Sequence, residues 1–239
     1  MDEQKLEKLQ TWVKESSRIV FFGGAGVSTE SGIPDFRGED GLYRQRYAYP
    51  PETIISHSFY VRHPEIFFDF YRNRMLYPNA KPNVVHQRLA QWERDGKLLA
   101  VVTQNIDGLH QKAGSRKVLE LHGSVLRNHC TRCGQFYGVE RIVNSRGVPR
   151  CSCGGIIKPD VVLYEESLDE DVMAEAIHYI RQADMLIIGG TSLVVYPAAG
   201  LVQYYRGHKL AVINKGGAGS GLGAAVTVDA PIGQVMAQL

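Results

Sequence analysis

The four cysteines limit how this chain can fold more than any other feature, because they all lie in one short stretch. Cys130 and Cys133 form one close pair, and Cys151 and Cys153 form the other. Two tight turns that each supply two thiolates are typical of a tetrahedral, structural zinc site. We therefore predict that these four side chains bind one zinc ion, with no coordination position left open for chemistry.

Length and charge exclude several classes of protein. A chain of 239 residues can form one large domain, or one domain with a smaller insertion. Lys and Arg total 27 against 25 for Asp and Glu, so net charge does not favour nucleic-acid binding. The segment 127–158 is a local exception, with several arginines and Glu140 as its single acid. It predicts either a basic patch for an acidic partner or a solvated zinc module.

From the sequence we expect neither an export signal nor a membrane-spanning helix. Its first residues are too charged for the apolar part of a signal peptide. No apolar run approaches the roughly 18 residues of a spanning helix. We expect a cytoplasmic protein with no membrane partner, whose thiols stay reduced, which favours zinc over disulfides.

Short apolar runs alternate with helical patterns along the chain. The runs predicted as strands are 18–22, 98–103, 118–121, 160–163, 185–188 and 210–213. Continuous runs of this kind are typical of parallel strands covered on both faces. Ser167 and Glu170 have the spacing of a capping box, and Val172, Ala176 and Ile180 then share one helix face. The alternation predicts an α/β fold with a parallel sheet wrapped by helices.

Two stretches interrupt this alternation. Residues 36–80 are rich in aromatic side chains and prolines, and they predict a helical or loop insertion. Residues 127–157 hold the cysteines. Near the end, the run from Gly216 to Gly223 predicts a flexible loop.

The glycine-rich segment 23–38 carries the first chemical signal. Gly24, Ala25 and Gly26 follow a strand, and such a turn lets backbone N–H groups approach a pyrophosphate. A hydride-transfer fingerprint also needs a third small residue, where this chain has Thr29, and an acid after a second strand, which is missing.

Asp35, Phe36 and Arg37 follow the glycine turn. They would suit a lid that covers a base. The alternative is a proline-anchored loop in which Asp35 and Arg37 only pair with each other.

Polar side chains follow three further strands. Gln104, Asn105 and Asp107 offer amides and a carboxylate to ribose hydroxyls or a carboxamide, because ligand groups gather at the carboxyl edge of α/β sheets. The alternative is a helix that Asn105 caps, with His110 inert.

His122 also closes a strand, where it could act as a general base or be merely structural. Thr191 and Ser192 beside Gly190, and Asn214, could hold a phosphate or ribose.

Taken in order, these motifs resemble the sirtuin family of NAD-dependent protein deacylases. The motifs are GAGVSTESGIPDFRG, TQNIDGLH, LHGS, the two cysteine pairs, KPDVVLYEE and GTSLVVYPA. The resemblance covers about 18–214 and is closest to the small bacterial and archaeal members. It implies a Rossmann-like parallel sheet domain with a smaller domain formed by a helical insertion and a zinc-binding insertion. The large part would comprise about 1–35, 81–126 and 158–239, and the small part about 36–80 and 127–157.

The resemblance also implies roles for individual residues. NAD would be bound by Gly24, Ala25, Gly26, Thr29, Asp35, Phe36, Arg37, Gln104, Asn105, Ile106, Asp107, His122, Gly190, Thr191, Ser192, Asn214 and Asp229. His122 and Asn105 would be catalytic. The acyl-lysine peptide would add as a strand along Val162, Leu163, Tyr164 and Glu165.

The implied reaction consumes NAD. The acyl oxygen of a modified lysine attacks the ribose carbon, and nicotinamide leaves. His122 then deprotonates a ribose hydroxyl, which attacks the acyl carbon. The products are free lysine, nicotinamide and O-acyl-ADP-ribose. We expect acetyl-lysine proteins or peptides as partners, and a monomer or weak oligomer.

Some positions depart from the family pattern or leave a choice open. The second cysteine pair is C-x-C, where C-x-x-C is commoner, although Gly154 and Gly155 could absorb the tighter turn. The glycine-rich tail matches poorly, which affects the Asp229 contact. Tyr71 and Arg74 have the spacing found in members that remove acidic acyl groups, whereas Thr29 stands where those members have alanine. We expect acetyl as the main acyl group, with desuccinylation as the alternative.

Three other functions remain compatible with the sequence. A protein mono-ADP-ribosyltransferase would use the same NAD cleft. A zinc-ribbon protein would bind nucleic acid through the arginines near the cysteines. A dinucleotide-dependent dehydrogenase fits least well, because the third small residue and the ribose-binding acid are missing.

Overall fold

The computed structural model describes residues 2–38, 41–44, 47–216 and 223–239. Most of the glycine-rich loop predicted between Gly216 and Gly223 therefore lies outside the described residues. In the described part, no helix is both long enough and apolar enough to cross a membrane.

Strands and helices alternate along most of the chain. The strands are β1 (Ile19–Gly23), β2 (Leu98–Thr103), β3 (Val118–Glu120), β4 (Gly123–Cys130), β5 (Phe136–Tyr137), β6 (Ile157–Val161), β7 (Met185–Gly189), β8 (Lys209–Ile213) and β9 (Val226–Val228). The α-helices are α1 (Glu3–Glu15), α2 (Pro51–Ile54), α3 (His57–Arg62), α4 (Pro64–Arg74), α5 (Val84–Arg94), α6 (Leu109–Lys112), α7 (Val139–Val143), α8 (Glu170–Gln182) and α9 (Ile232–Met236). Short 3₁₀ turns occur at Ala25–Val27, Thr29–Ser31, Leu42–Arg44 and Ala198–Tyr204.

The larger sheet is parallel throughout, in the order β3-β2-β1-β7-β8-β9. Every residue of β1 and β7 is buried, because helices cover both faces of the sheet. Phe21 and Ile187 pack into the core on one face, and Phe22 and Ile188 pack into the core on the other. The prediction of a parallel sheet covered on both sides is confirmed.

The carboxyl ends of the central strands lie side by side. Gly23, Thr103, Gly189 and Ile213 are the last residues of β1, β2, β7 and β8, and they are in register across the sheet. The next residue of each chain segment therefore emerges at the same edge. This edge is where open α/β sheets bind ligands.

The run 160–163 was predicted as a strand of the parallel sheet, and that prediction is wrong. β6 instead pairs antiparallel with β4 in a smaller sheet of order β5-β4-β6. Its burial alternates, with Asp160 exposed and Val161 buried, as expected when one face of a sheet is solvated. A short apolar run indicates a strand but does not identify its pairing partner.

Helix α8 begins differently from the sequence prediction. Its N-cap is Asp169, whose carboxylate accepts hydrogen bonds from the backbone N–H of Asp171 at 2.9 Å and of Val172 at 3.0 Å. The predicted capping box of Ser167 with Glu170 is therefore wrong, because an equally good capping side chain lies closer to the helix. The predicted apolar face is confirmed, since Ala176 and Ile180 are fully buried.

The two insertions form one hydrophobic core beside the large sheet. Phe67, Phe68 and Tyr71 of α4 pack together with Cys151 and Ile157 of the cysteine-containing segment. The described part of 36–80, predicted as a helical or loop insertion, contains α2, α3 and α4 joined by loops. The residue limits proposed for the two parts of the chain stay a prediction.

Candidate active site

A cavity of about 900 Å³ lies at the carboxyl edge of the parallel sheet, between the sheet and the two insertions. Most residues predicted to bind NAD line it, namely Gly24, Ala25, Gly26, Asp35, Phe36, Arg37, Gln104, Asn105, Ile106, Asp107, His122, Gly190, Thr191, Ser192 and Asn214. The predicted peptide-binding residues Val162, Leu163, Tyr164 and Glu165 line it too. Its volume is at the upper end of the range for small-molecule sites.

The glycine turn is packed tightly against the loop that follows β7. The backbone N–H of Gly26 donates to the carbonyl of Gly190 at 2.8 Å. A Cβ added to Gly26 would lie 2.8 Å from the Cα of Gly190, and one added to Gly24 would lie 2.8 Å from the Cβ of Thr191. Side chains at either position would force the two loops apart. The glycines thus bring two distant motifs together at the floor of the cavity.

A buried polar network fixes the groups that follow β2. The Ser28 hydroxyl donates to Asp107 Oδ2 at 2.6 Å, and Asn105 Nδ2 donates to Ser28 Oγ at 3.1 Å. Ser28 is 1% exposed and Asn105 is 9% exposed, so these bonds are shielded from water. Ser28 was not among the residues predicted from the sequence. A hydroxyl inside a glycine-rich turn was the signal that could have identified it.

The alternative in which Asn105 caps a helix is wrong. Helix α6 begins at Leu109, and the backbone N–H of Leu109 donates to Asp107 Oδ1 at 2.9 Å. The side chain of Asn105 points instead to Ser28 in the cavity wall. His110 is almost fully buried in the protein interior and does not line the cavity.

His122 lies between β3 and β4 and is held in a defined orientation. Its Nδ1 lies 3.1 Å from the backbone carbonyl of Gln104. Because a carbonyl can only accept, Nδ1 carries the proton and Nε2 keeps its lone pair. Burial lowers the pKa of His122, and this outweighs the opposing effect of the Gln104 hydrogen bond. A neutral imidazole with a free lone pair is suited to general-base chemistry.

The loop after the glycine turn lies across the cavity. Asp35 Oδ1 accepts a hydrogen bond from the Gly38 N–H at 2.7 Å. The Arg37 guanidinium lies 5.1 Å from the centre of the Tyr43 ring. In the described ranges Asp35 and Arg37 form no ion pair with each other, so the alternative that these two residues merely pair is wrong.

Three predicted site residues do not line the cavity. Thr29 is exposed, and its hydroxyl donates to the carbonyl of Gly26 at 3.0 Å. Asp229 accepts a hydrogen bond from the Gly216 N–H at 2.8 Å. Tyr71 is fully buried in the core formed by the insertions, and this burial raises the pKa of its hydroxyl. Arg74 does line the cavity, with its guanidinium 5.6 Å from the centre of the Tyr47 ring.

The four cysteines come together as the sequence predicted. Cys130 Sγ lies 3.4 Å from Cys153 Sγ, and Cys133 Sγ lies 3.6 Å from Cys151 Sγ. All four sulfur atoms lie within 4.8 Å of one another. Tetrahedral zinc with Zn–S bonds of about 2.3 Å requires sulfur atoms roughly 3.8 Å apart, so this cluster fits one structural zinc ion. Gly154, with φ of +85°, makes the tight turn after the C-x-C pair.

The arginines near the cysteines mostly bind backbone carbonyls within their own module. Arg132 Nη1 donates to the carbonyl of Cys153 at 2.9 Å, and Arg150 Nη1 donates to that of Gly154 at 3.0 Å. Arg127 forms ion pairs with Glu120 and Asp160. These contacts favour a structural use of the basic residues over a nucleic-acid interface.

Fold and site together define an α/β protein with a dinucleotide-sized cleft and a four-cysteine module. The profile of the Sir2 family matches residues 24–197. The chain therefore belongs to the Sir2 family, and the predicted resemblance to the sirtuins is confirmed.

Curated relatives match along nearly the whole chain. A protein of Clostridium perfringens (strain 13 / Type A) named NAD-dependent protein deacetylase is 56% identical in an alignment of 241 positions that covers 99% of each chain. A protein of the same name from Cutibacterium acnes is 51% identical and covers 96% of this chain and 95% of its own.

Solved structures of the family have the same fold. A complex described as Sir2, p53 peptide and NAD⁺ superimposes with a TM-score of 0.85 at 38% identity, covering 98% of this chain and 96% of that one. A Sir2 variant with deacetylated p53 peptide and 3'-O-acetyl ADP ribose gives a TM-score of 0.89 at 37% identity, with the same coverage.

Proposed function

We propose that this protein is an NAD-dependent protein-lysine deacetylase. It transfers the acetyl group of a modified lysine to ADP-ribose and releases nicotinamide. One observation carries this proposal: a single cavity holds the glycine turn, the Ser28–Asn105–Asp107 network, His122 and the segment 162–165. The curated relatives named NAD-dependent protein deacetylase support the same activity.

Different residues of the cavity would bind different parts of NAD. The hydroxyls of Thr191 and Ser192 and the amide of Asn214 suit the adenosine half of NAD. Asn105 and Asp107, held in orientation by Ser28, suit the carboxamide of nicotinamide. NAD supplies the ribose carbon that takes the acyl oxygen as nicotinamide leaves.

His122 would act after nicotinamide has left. Its Nε2 lone pair would accept the proton of a ribose hydroxyl, whose oxygen then attacks the acyl carbon. Because the pKa of His122 is lowered by burial, most molecules carry the neutral base near neutral pH. Free lysine, nicotinamide and O-acetyl-ADP-ribose result, with one water consumed.

The substrate would be an acetyl-lysine segment of a protein or peptide. It would extend along Val162–Glu165 and form backbone hydrogen bonds as an added strand. We also propose that the protein works in the cytoplasm, where cysteines stay reduced and can bind zinc. We propose a monomer or weak oligomer.

A mass-spectrometric assay with an acetyl-lysine peptide tests this function. The peptide should lose its acetyl group only when NAD is present, and O-acetyl-ADP-ribose and nicotinamide should appear. ADP-ribosylated protein without any O-acetyl-ADP-ribose would contradict the proposal and favour a mono-ADP-ribosyltransferase.

A further inference from the structure

We propose that the hydroxyl of Tyr164 couples the binding of NAD to the binding of the peptide. Tyr164 belongs to the segment that would contact the peptide, yet its side chain reaches the loop that would contact NAD. This inference rests on the proposed function and assigns a coupling role that follows from neither ligand site alone.

The backbone of Tyr164 is held firmly from one side. Its N–H donates to the carbonyl of Ile55 at 3.1 Å, and its carbonyl accepts from the N–H of His57 at 2.9 Å. The next residue, Glu165, accepts hydrogen bonds from the N–H of Ser58 at 2.8 Å and from its hydroxyl at 3.0 Å. These bonds attach the peptide segment to the start of α3.

Glu166 holds the same segment from the other side. Its carboxylate accepts from the Leu163 N–H at 2.8 Å, and it lies 3.2 Å from Lys158 Nζ and 2.8 Å from His57 Nδ1. The carboxylate is half-buried, and the sum of these partners lowers the pKa of Glu166 despite the opposing effect of burial. The direction of the Tyr164 side chain is therefore set by a well-anchored backbone.

The Tyr164 hydroxyl contacts two residues of the loop over the cavity. Its oxygen lies 3.0 Å from the hydroxyl oxygen of Tyr43, where either group can donate. It also accepts a longer hydrogen bond from Arg37 Nη2 at 3.4 Å. Burial, followed by this contact with Tyr164, raises the pKa of Tyr43. A partly buried hydrogen bond is worth more than one exposed to water.

Tyr43 is in turn attached to the predicted NAD contacts. Its N–H donates to the carbonyl of Phe36 at 2.9 Å, and its ring lies 5.4 Å from the ring of Phe36. The guanidinium of Arg37 lies 5.1 Å from the centre of the same ring. A ligand that moves Phe36 or Arg37 therefore changes the position of Tyr43 relative to Tyr164.

Coupling follows from this shared contact. A peptide that shifts the segment 162–165 and a dinucleotide that shifts Arg37 both make or break the same hydroxyl contacts. The two binding free energies then share a contribution, and by linkage each ligand changes the affinity for the other by the same factor.

Fluorescence anisotropy with a labelled acetyl-lysine peptide measures this factor directly. The dissociation constant of the peptide is determined with and without saturating ADP-ribose, which has no nicotinamide to lose. The ratio of the two constants should differ from one in the wild-type protein. In Tyr164→Phe, which keeps the ring, the ratio should move about threefold to tenfold towards one, as expected for loss of one hydrogen bond.

Two further variants serve as a second test of the same hydrogen bond and as a control. Tyr43→Phe removes the same hydrogen bond from the other side, so the double variant should show little loss beyond either single one. Tyr179→Phe is the matched control, because Tyr179 lies on α8 and does not line the cavity. It should keep the wild-type ratio. If Tyr164→Phe fails to fold, Tyr43→Phe tests the same hydrogen bond between the two hydroxyls.

The outcomes separate the two proposals. A wild-type ratio of one, or an equal ratio in the wild-type protein and both phenylalanine variants while both ligands bind, would overturn the coupling and leave the deacetylase function intact. A wild-type protein that binds neither ligand would overturn both.

Discussion

His122 has two ring nitrogens in different surroundings, and this difference determines its chemistry. The carbonyl of Gln104 fixes the proton on Nδ1, which leaves Nε2 with its lone pair. Gln104 is itself held by a hydrogen bond from its Nε2 to Thr191 Oγ1 at 3.0 Å. Burial lowers the pKa of His122 and keeps it in the basic form near neutral pH.

Replacing this base should remove activity without unfolding the protein. We predict that His122→Ala lowers kcat by about 100-fold or more, as for loss of a general base. In the wild-type protein, kcat should stay high to a pH below the ordinary histidine value of about 6.5 and fall only at lower pH, because the pKa is lowered. Steady-state kinetics across pH, with circular dichroism as a control for folding, checks both results. Near-normal turnover in His122→Ala would remove this residue from the mechanism.

Two other histidines are buried in contact behind the cavity wall. The ring centres of His86 and His110 are 4.7 Å apart, and the two residues are 0% and 1% exposed. Neither ring nitrogen of His110 has a hydrogen-bond partner among the described residues. Burial lowers the pKa of His86 to about 4, although Asp107 acts in the opposite direction. Burial and the neighbouring His86 lower the pKa of His110 as well.

This pair predicts a loss of stability in mild acid. The unfolded chain takes up protons on these histidines below about pH 6.5, whereas in the folded protein His86 stays neutral until about pH 4 and the pKa of His110 is lowered too. The free energy of unfolding should therefore fall as the pH is lowered through this window, by on the order of 3 kcal/mol for one such group. In His110→Leu the fall between about pH 7 and pH 5 should be smaller. Urea unfolding at each pH measures this free energy. The control is His208→Leu, which replaces an exposed histidine and should keep the pH dependence of the wild-type protein. An equal dependence in His110→Leu would show that the pair does not titrate on unfolding.

At the scale of residues, the sequence predicted which residues lie at the edge of the sheet better than it predicted the hydrogen bonds between distant segments. Gly24, Gln104, Gly190 and Asn214 each follow a strand of the parallel sheet, so their common edge could be derived from the fold class. Ser28 could not be chosen in this way, because its role depends on the approach of Asp107 from a distant segment. Spacing within the family motifs also predicted Thr29, Asp229 and Tyr71 as site residues. In the structure Thr29 bonds to the nearby Gly26 carbonyl, Asp229 accepts from the Gly216 N–H, and Tyr71 packs in the core of the insertions.

At the scale of elements, the continuous apolar runs of the sequence identified the strands but not the strands with which they pair. The runs that became β1, β2, β7 and β8 are buried on both faces, as their continuous apolar sequences predicted. The run at 160–163 looked the same in sequence but belongs to the antiparallel sheet beside β4. Pairing depends on contacts with segments far along the chain, and a window of a few residues holds no information about them.

The cysteine module is the element whose stability should depend on metal. We predict that Cys151→Ser lowers the zinc content below about one ion per chain and lowers the melting temperature, because metal binding contributes to folding free energy. Elemental analysis and thermal melts with and without a chelator check this. Ser152→Ala changes the same turn without removing a thiolate and should keep both properties. Metal-free wild-type protein of the same stability would contradict the zinc site.

At the scale of the whole molecule, the cavity depends on how the insertions come together. Phe67 and Phe68 from one insertion and Cys151 and Ile157 from the other share a core. Residues of the insertions and of the carboxyl edge of the sheet line the same cavity. The sequence predicted the two insertions but gave no distances between them. Only the assembled core brings the segment 162–165 and the glycine turn to the same cavity.

The geometry of this assembled cavity predicts a preference for acetyl over succinyl groups. The hydroxyl of Tyr71 is buried away from the cavity and cannot help Arg74 to bind a carboxylate. We expect kcat/KM for an acetyl-lysine peptide to exceed that for a matched succinyl-lysine peptide by about tenfold or more, since a charged acyl group would lack a complete set of partners. Equal or faster turnover of the succinylated peptide would contradict this order. Arg74→Met would then test whether the guanidinium binds the carboxylate.

The most direct test of the whole account is the stoichiometry of nicotinamide release and lysine deacetylation in one reaction. Purified protein is mixed with NAD and an acetyl-lysine peptide, and both products are quantified over time by liquid chromatography and mass spectrometry. We predict one nicotinamide for each lysine freed, with neither product formed when NAD or the peptide is left out. Intact NAD alongside an unchanged peptide, or nicotinamide released while the lysine stays acetylated, would contradict it.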